Sequence, residues 1–130
     1  MIVVSVPHSG TRTLMHHLGI DRYEHFASNR TDLIHIEDVH IPIRHPMDVA
    51  RSWACRPKHD IVDRLIGSYD MMFECINNSE PTLHRIEDIP TVLGKGEHSD
   101  GDHEQLIREV RAVVLQHVVL PHQSFFDRYY

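Results

Sequence analysis

Short apolar runs alternate with segments of helical periodicity along the chain. Residues 2–6 form an apolar run that suits a buried strand. Extended segments are also predicted within residues 33–43, where Pro42 makes the strand irregular or places it at an edge of the sheet, and at residues 82–86. Apolar residues at three-and-four spacing predict four helices, one that ends at Gly19 and one each at residues 47–54, 60–76 and 103–119, the last ended by Pro121.

This alternation predicts one α/β domain over residues 1–130, with a short parallel sheet flanked by helices. The length of 130 residues is that of a typical single domain. No apolar run approaches the roughly 20 residues of a membrane span, and the first residues do not resemble a signal peptide. Cys55 and Cys75 fit no redox or metal spacing and are interpreted as reduced thiols. We therefore expect a cytoplasmic protein without a membrane partner.

The distribution of charge indicates a small anionic ligand. The net charge of −6 disfavours a nucleic-acid partner, since nucleic-acid binders usually carry a basic balance. Residues 7–17 and 42–58 nevertheless carry five Lys or Arg and only one Asp or Glu. An acidic protein with two positive segments suits a small anion bound between them.

The first motif, residues 6–13, joins the first strand to the first helix. A helix N-terminus offers unpaired N–H groups and partial positive charge to an anion, and Gly10 lets the backbone approach a phosphate closely. Further donors are available from the side chains of Ser9, Thr11, Arg12 and Thr13. The alternative is an ordinary strand–turn–helix connection, because the second glycine and the Lys-Ser/Thr ending of a Walker A loop are missing.

The second motif, residues 43–52, has the form Arg-x-Pro-x-Asp-x-x-x-Ser. Arg44 ends a strand and can bind a phosphate with two N–H groups, and Ser52 lies one turn after Asp48 on a helix that starts near Pro46. We expect Arg44 and Ser52 to meet the same phosphate. The alternative is that Arg44 pairs with a surface carboxylate and Ser52 is merely exposed.

A third motif, residues 83–90, reads Leu-His-Arg-Ile-Glu-Asp-Ile-Pro. The three motifs in this order resemble the family of sulfotransferases that use 3′-phosphoadenosine 5′-phosphosulfate (PAPS), and the first motif is most similar to the heparan-type branch. The resemblance covers about residues 2–90 and implies a nucleotide-binding fold of the P-loop type. In that family the first loop holds the 5′-phosphosulfate, and the arginine and serine of the second motif hold the 3′-phosphate. The implied nucleotide-binding residues are His8, Ser9, Gly10, Thr11, Arg12, Thr13, Arg44 and Ser52.

The resemblance also implies catalytic residues. His8 stands where the family usually has a lysine that steadies the bridging oxygen of the leaving group. A histidinium could act in the same way, although histidine ordinarily titrates near pH ~6.5. Glu24, in a segment similar to the Glu-x-His-Phe of heparan-type enzymes, is the expected base for the acceptor, with His25 as the alternative. Gly94-Lys95-Gly96 is the candidate for the family's closing loop.

The expected activity is therefore sulfuryl transfer from PAPS to a hydroxyl or amine on a small molecule or glycan. One alternative is a nucleotide-binding module without activity, favoured by the short chain and by His8. Another is a P-loop kinase for a small metabolite, in which Glu87 and Asp88 would hold Mg²⁺. The histidines form no recognised ligand spacing, so no metal site is expected. A homodimer is a possible assembly, suggested by the aromatic residues Phe125, Phe126, Tyr129 and Tyr130.

Overall fold

A computed structural model gives the architecture of residues 1–27, 31–56, 59–90 and 103–130. Its sheet has four strands in the order β2-β1-β3-β4, and every neighbouring pair is parallel. The strands are β1 (Ile2–Ser5), β2 (Tyr23–His25), β3 (Val39–Ile43) and β4 (Thr82–Arg85). The prediction of a short parallel sheet flanked by helices is confirmed. The candidate closing loop, Gly94-Lys95-Gly96, lies outside the described residues.

Five α-helices accompany the sheet in the described ranges: α1 (Thr11–Leu18), α2 (Pro46–Ala54), α3 (Ile61–Ser79), α4 (Glu104–Val114) and α5 (Gln123–Asp127). Shorter helical turns cover Thr31–His35, Ile86–Asp88 and Leu120–His122, and a π-helical turn covers Leu115–Val119. None of the helices in these ranges has both the length and the apolar character to cross a membrane.

The two faces of the sheet are covered unequally. Alternate residues of β1 and β3, such as Val4 and Ile41, belong to the main core, which α2, α3 and α4 complete. The opposite face carries Ser5, whose hydroxyl contacts that of Thr11 in α1. Because successive side chains of a strand point to opposite faces, His40 of β3, which pairs with Val3, shares this second face.

Three details of the chain differ from the sequence prediction. The short edge strand β2 was not predicted, because Tyr23–His25 is too short and too polar to show strand periodicity. Within the predicted extended segment 33–43, the first residues belong to the helical turn Thr31–His35. The last predicted helix, 103–119, is followed by a further helix, α5, which was not predicted. Pro121 lies in a 3₁₀ turn, and His122 leaves the helical region with φ −122° and ψ 33° before α5 begins at Gln123.

The strand order creates one switch point in the sheet. The chain leaves β1 towards β2 on one side, whereas it leaves β3 towards β4 on the other side. In open parallel sheets, the crevice between two such strands, at their carboxyl ends, is the usual ligand site. The first motif follows β1 and the second motif follows β3, so both motifs lie at this crevice.

Candidate functional site

A direct contact joins the first and second motifs. Arg44 follows β3, and its Nη1 donates a hydrogen bond to the main-chain carbonyl of His8, with 2.9 Å between the heavy atoms. The guanidinium therefore lies at the loop between β1 and α1. The sequence predicted that these two motifs act together, and the contact brings their principal cationic residue to the loop.

The first loop has a tightly determined conformation. Both the N–H and the hydroxyl of Ser9 donate to the carbonyl of Val6. The indole of Trp53, from α2, donates to the carbonyl of Pro7 at 2.7 Å, and its ring packs edge-on against the His8 imidazole at 5.6 Å. His8 itself has a positive φ of 68°, an uncommon conformation for a residue with a side chain. Trp53 was not predicted from the sequence to take part in this loop.

Gly10 is required by the packing of the loop. Its φ is 101°, and a Cβ at this position would lie 2.7 Å from the Cγ1 atom of Ile86. Both constraints demand glycine without any ligand. The role predicted from the sequence, close approach of a phosphate, is compatible with this packing but is not needed to explain the residue.

The N-terminus of α1 carries no side-chain cap, since its N-cap residue is Gly10. The first N–H groups of a helix have no partner within the helix, so this end offers donors to an anion. The Thr11 hydroxyl contacts the buried Ser5 hydroxyl at 2.5 Å and so serves the loop, whereas Arg12 is exposed and Thr13 half-buried. Side-chain help for an anion is therefore expected from Arg12 and Thr13.

A small cavity lies beneath the loop. Its wall includes Ser9, Arg44, Tyr69 and Phe126, and its volume of about 10 Å³ suits a single water molecule. Burial raises the pKa of Tyr69, although the nearby Arg44 opposes the shift, so the phenol stays neutral beside the guanidinium. Nucleotide sites measure hundreds of Å³, so this cavity itself is too small to hold a nucleotide.

The start of α2 has its main-chain donors engaged. The imidazole of His45, the N-cap residue, accepts from the N–H of Met47 at 3.2 Å. The N–H of His45 donates to the Glu87 carboxylate at 2.9 Å. Ser52 lies six residues after Pro46, about 9 Å further along the helix axis, and faces the interior, whereas Asp48 is exposed. The structure thus brings Arg44 to the first loop and Ser52 to the buried side of α2.

Glu24 and His25 lie at the carboxyl end of the edge strand β2. Glu24 pairs with Val4 and His25 with Ser5, so the two side chains point to opposite faces of the sheet. His25 shares the face of α1. Burial lowers the pKa of His25, against the opposing effect of Glu24, so its imidazole is neutral at neutral pH. Both candidate bases are therefore one strand away from the first loop, on different sides.

The third motif contributes a cluster that the sequence did not assign. Glu87 accepts hydrogen bonds from the His45 N–H and from the Tyr130 hydroxyl, both at 2.9 Å. Asp88 accepts from Arg85, whose guanidinium lies over the Tyr130 ring at 5.2 Å from its centre. Both carboxylates considered for Mg²⁺ are engaged by donors of the protein itself, which weakens the kinase alternative. Glu87 and Tyr130 are 43 residues apart in the chain, so no local sequence pattern indicates that they are partners.

Neither a metal site in the described residues nor a known relative helps to identify the function. Within the ranges described above, no three His, Cys, Asp or Glu residues are placed to hold a metal ion. Comparison of the chain with models of known families, with curated proteins and with solved structures finds no match. Function is therefore inferred from the three motifs and from the geometry of the crevice.

Proposed function

We propose that this protein is a sulfotransferase that moves a sulfuryl group from PAPS to a hydroxyl or amine acceptor. The observation that carries the proposal is the hydrogen bond from Arg44 to the His8 carbonyl. It joins the two motifs that resemble the two phosphate-binding segments of that family. Two phosphate-binding segments at one crevice suit a nucleotide phosphorylated at two positions.

The first loop would hold the 5′ end of the nucleotide. The uncapped N-terminus of α1 supplies N–H donors and the positive end of the helix dipole. Arg12 and Thr13, in the first turn of α1, would add side-chain donors, whereas the hydroxyls of Ser9 and Thr11 are already bonded within the protein. Gly10 and Thr11 would then contribute through their main-chain N–H groups, whereas the N–H of Ser9 is already bonded to the Val6 carbonyl, so Ser9 would shape the loop. Arg44 would bind the second phosphate, and the buried position of Ser52 gives it the weaker claim.

His8 would stabilise the leaving group. It lies in the loop between β1 and α1 and is held by the Trp53 ring at 5.6 Å and by Arg44 at its carbonyl. Its imidazolium form could share charge with the departing phosphate, as the lysine of the family does. Fixed donors around a developing negative charge are an effective means of lowering a reaction barrier.

Glu24 would take the proton of the acceptor, and His25 is the alternative base. PAPS supplies the sulfuryl group when bound. The acceptor oxygen or nitrogen forms a bond to sulfur, the bond from sulfur to the bridging oxygen breaks, and its electron pair leaves with adenosine 3′,5′-bisphosphate. The acceptor proton passes to the Glu24 carboxylate or to the neutral His25 imidazole. The lowered pKa of His25 favours the neutral form that this role needs.

The alternative function is a nucleotide-binding module without turnover. It is favoured by His8, which is packed against Trp53 as a structural residue would be. The two functions share the nucleotide and differ in the release of product. A measurement of turnover therefore separates them.

The experiment is an assay for adenosine 3′,5′-bisphosphate released from PAPS in the presence of oligosaccharides, phenols and amines. We expect release that depends on an acceptor, and a loss of about 100-fold or more in kcat when the true base is replaced. Glu24→Gln and His25→Gln form a matched pair, because the residues are adjacent on β2 but face opposite sides of the sheet. Binding of the nucleotide by the unaltered protein without acceptor-dependent release would instead favour the binding module.

A further inference from the structure

The segment after α4 covers the carboxyl ends of β3 and β4. Phe126 of α5 lines the cavity beneath the first loop together with Arg44. Tyr130 packs its ring edge-on against His45, at 4.9 Å between ring centres, and donates its hydroxyl to Glu87. Residues 123–130 therefore lie beside the candidate nucleotide site. We call this segment the strap.

The carboxylate of Glu87 occupies a position that would also suit an anionic ligand. One of its carboxylate oxygens accepts the N–H of His45, at the start of α2, and the other accepts the Tyr130 hydroxyl. Burial raises the pKa of Tyr130, and so does the bonded carboxylate, so the hydroxyl stays protonated and donates. A phosphate group has the charge and the acceptor oxygens to compete with Glu87 for the same N–H.

Arg85 has a donor that nothing in the described residues satisfies. Its Nη1 binds Asp88 at 2.5 Å and its guanidinium lies over the Tyr130 ring, yet its Nε is buried and makes no hydrogen bond there. A buried N–H without an acceptor is costly, and an arginine guanidinium suits a phosphate. Arg85 and His45 both contact the Tyr130 ring, so this donor and the start of α2 lie next to the same residue.

We propose that the contact between Tyr130 and Glu87 is a latch that holds the strap over the second phosphate position, and that nucleotide binding opens it. The incoming phosphate takes the His45 N–H from one oxygen of Glu87 and its charge repels the carboxylate, so Glu87 moves away and Tyr130, bonded to the other oxygen, loses its acceptor. Tyr130 is 39% exposed, and a single hydrogen bond at such a position is a weak restraint, so the latch can open reversibly. A protein that must open before it binds shows a reduced apparent affinity, so loss of the latch tightens binding. This inference rests on the proposed function.

The test compares Tyr130→Phe with Tyr129→Phe. Both variants remove one phenolic oxygen, but Tyr129 packs its ring against Phe125 at 5.2 Å and does not touch Glu87. The affinity for adenosine 3′,5′-bisphosphate and the amide hydrogen exchange of residues 123–130 are measured with and without the nucleotide. We expect Tyr130→Phe to bind about two- to tenfold more tightly and to exchange faster, since one hydrogen bond is lost. Tyr129→Phe should match the unaltered protein, in which the nucleotide speeds exchange of the strap.

The outcomes separate this inference from the proposed function. Nucleotide binding with equal affinity and equal exchange in all three proteins overturns the latch and leaves the proposed function in place. No binding by any of them overturns the proposed function and the opening by nucleotide. In that case the amide hydrogen exchange of the strap alone tests the contact between Tyr130 and Glu87. Faster exchange in Tyr130→Phe supports a latch, and equal exchange overturns it.

Discussion

Gly10 links loop conformation to packing against the third motif. Its backbone is in the left-handed region, and the side chain of Ile86 fills the space that a Cβ would need. Gly19, at the end of α1, also has a positive φ of 66° but has open space around its Cα. A comparison of the two glycines therefore separates the effect of a positive φ from the effect of a collision with Ile86.

We predict that Gly10→Ala lowers the free energy of unfolding by about 2–4 kcal/mol, because backbone strain of about 1–2 kcal/mol adds to the collision with Ile86. Gly19→Ala should cost only the strain, about 1–2 kcal/mol. Urea denaturation of both variants measures the difference. Equal losses would contradict the steric role of Ile86.

At the residue scale, the sequence predicted those positions that depend only on neighbouring residues in the chain. Arg44 directly follows strand β3 and lies two residues before the start of α2, so its place at the carboxyl edge of the sheet was predictable. Glu87 and Tyr130 could not be paired in advance, because the contact depends on how the residues after α4 fold back onto β4. The positive φ of His8 was also hidden, since histidine seldom adopts it.

At the scale of elements, strands β3 and β4 are linked by two histidines as well as by their main chains. His40 Nδ1 and His84 Nε2 are 2.9 Å apart, and Asp38 lies 3.4 Å from the other nitrogen of His40. A hydrogen bond between two imidazole nitrogens needs one protonated and one bare nitrogen. Burial lowers the pKa of His84, with further contributions from His40 and from His17 of α1. The folded protein therefore resists protonation of this side chain more than the unfolded chain does.

We predict that stability falls as the pH is lowered below about 6.5, where unfolded histidine takes up a proton and the folded protein does not. The full contribution of His84 is present above that pH and is lost progressively below it. His84→Gln should flatten the fall, leaving the part that comes from His25, whose pKa is also lowered. Thermal unfolding at several pH values, with the exposed His117→Gln as the control, provides the measurement. The same slope in His84→Gln as in the unaltered protein would be evidence against this origin.

The prediction of elements depended on how much apolar burial each one contributes. Strand β1 is buried throughout and α3 carries a long apolar stripe, and both were predicted. Strand β2 is a short edge strand that is held by its main-chain pairing with β1. Main-chain pairing does not require a particular pattern of apolar and polar side chains, so the sequence does not indicate it. Helix α5, beyond Pro121, was missed for a related reason. The apolar side chains that anchor α5, such as Phe126, lie beyond the proline.

At the scale of the whole molecule, strand order places the motifs and the motifs suggest the ligand. Parallel strands in the order β2-β1-β3-β4 bring the ends of β1 and β3 to one crevice, and Arg44 spans it to the first loop. The fold class followed from the alternation of strands and helices in the sequence. The particular nucleotide did not follow from the fold, because many ligands bind at such crevices. It follows only from the resemblance of the motifs, and it is therefore the claim that most needs a direct test.

That test is a calorimetric titration with adenosine 3′,5′-bisphosphate, with 5′-AMP and ATP as comparison ligands. The account predicts binding that requires the 3′-phosphate and that weakens in Arg44→Ala by about 1.5–3 kcal/mol, or roughly 10- to 150-fold. Arg108→Ala is the matched control, because Arg108 is an exposed arginine of α4 paired with Glu104. Its affinity should equal that of the unaltered protein. No binding, or equal binding of the three nucleotides, would contradict the account.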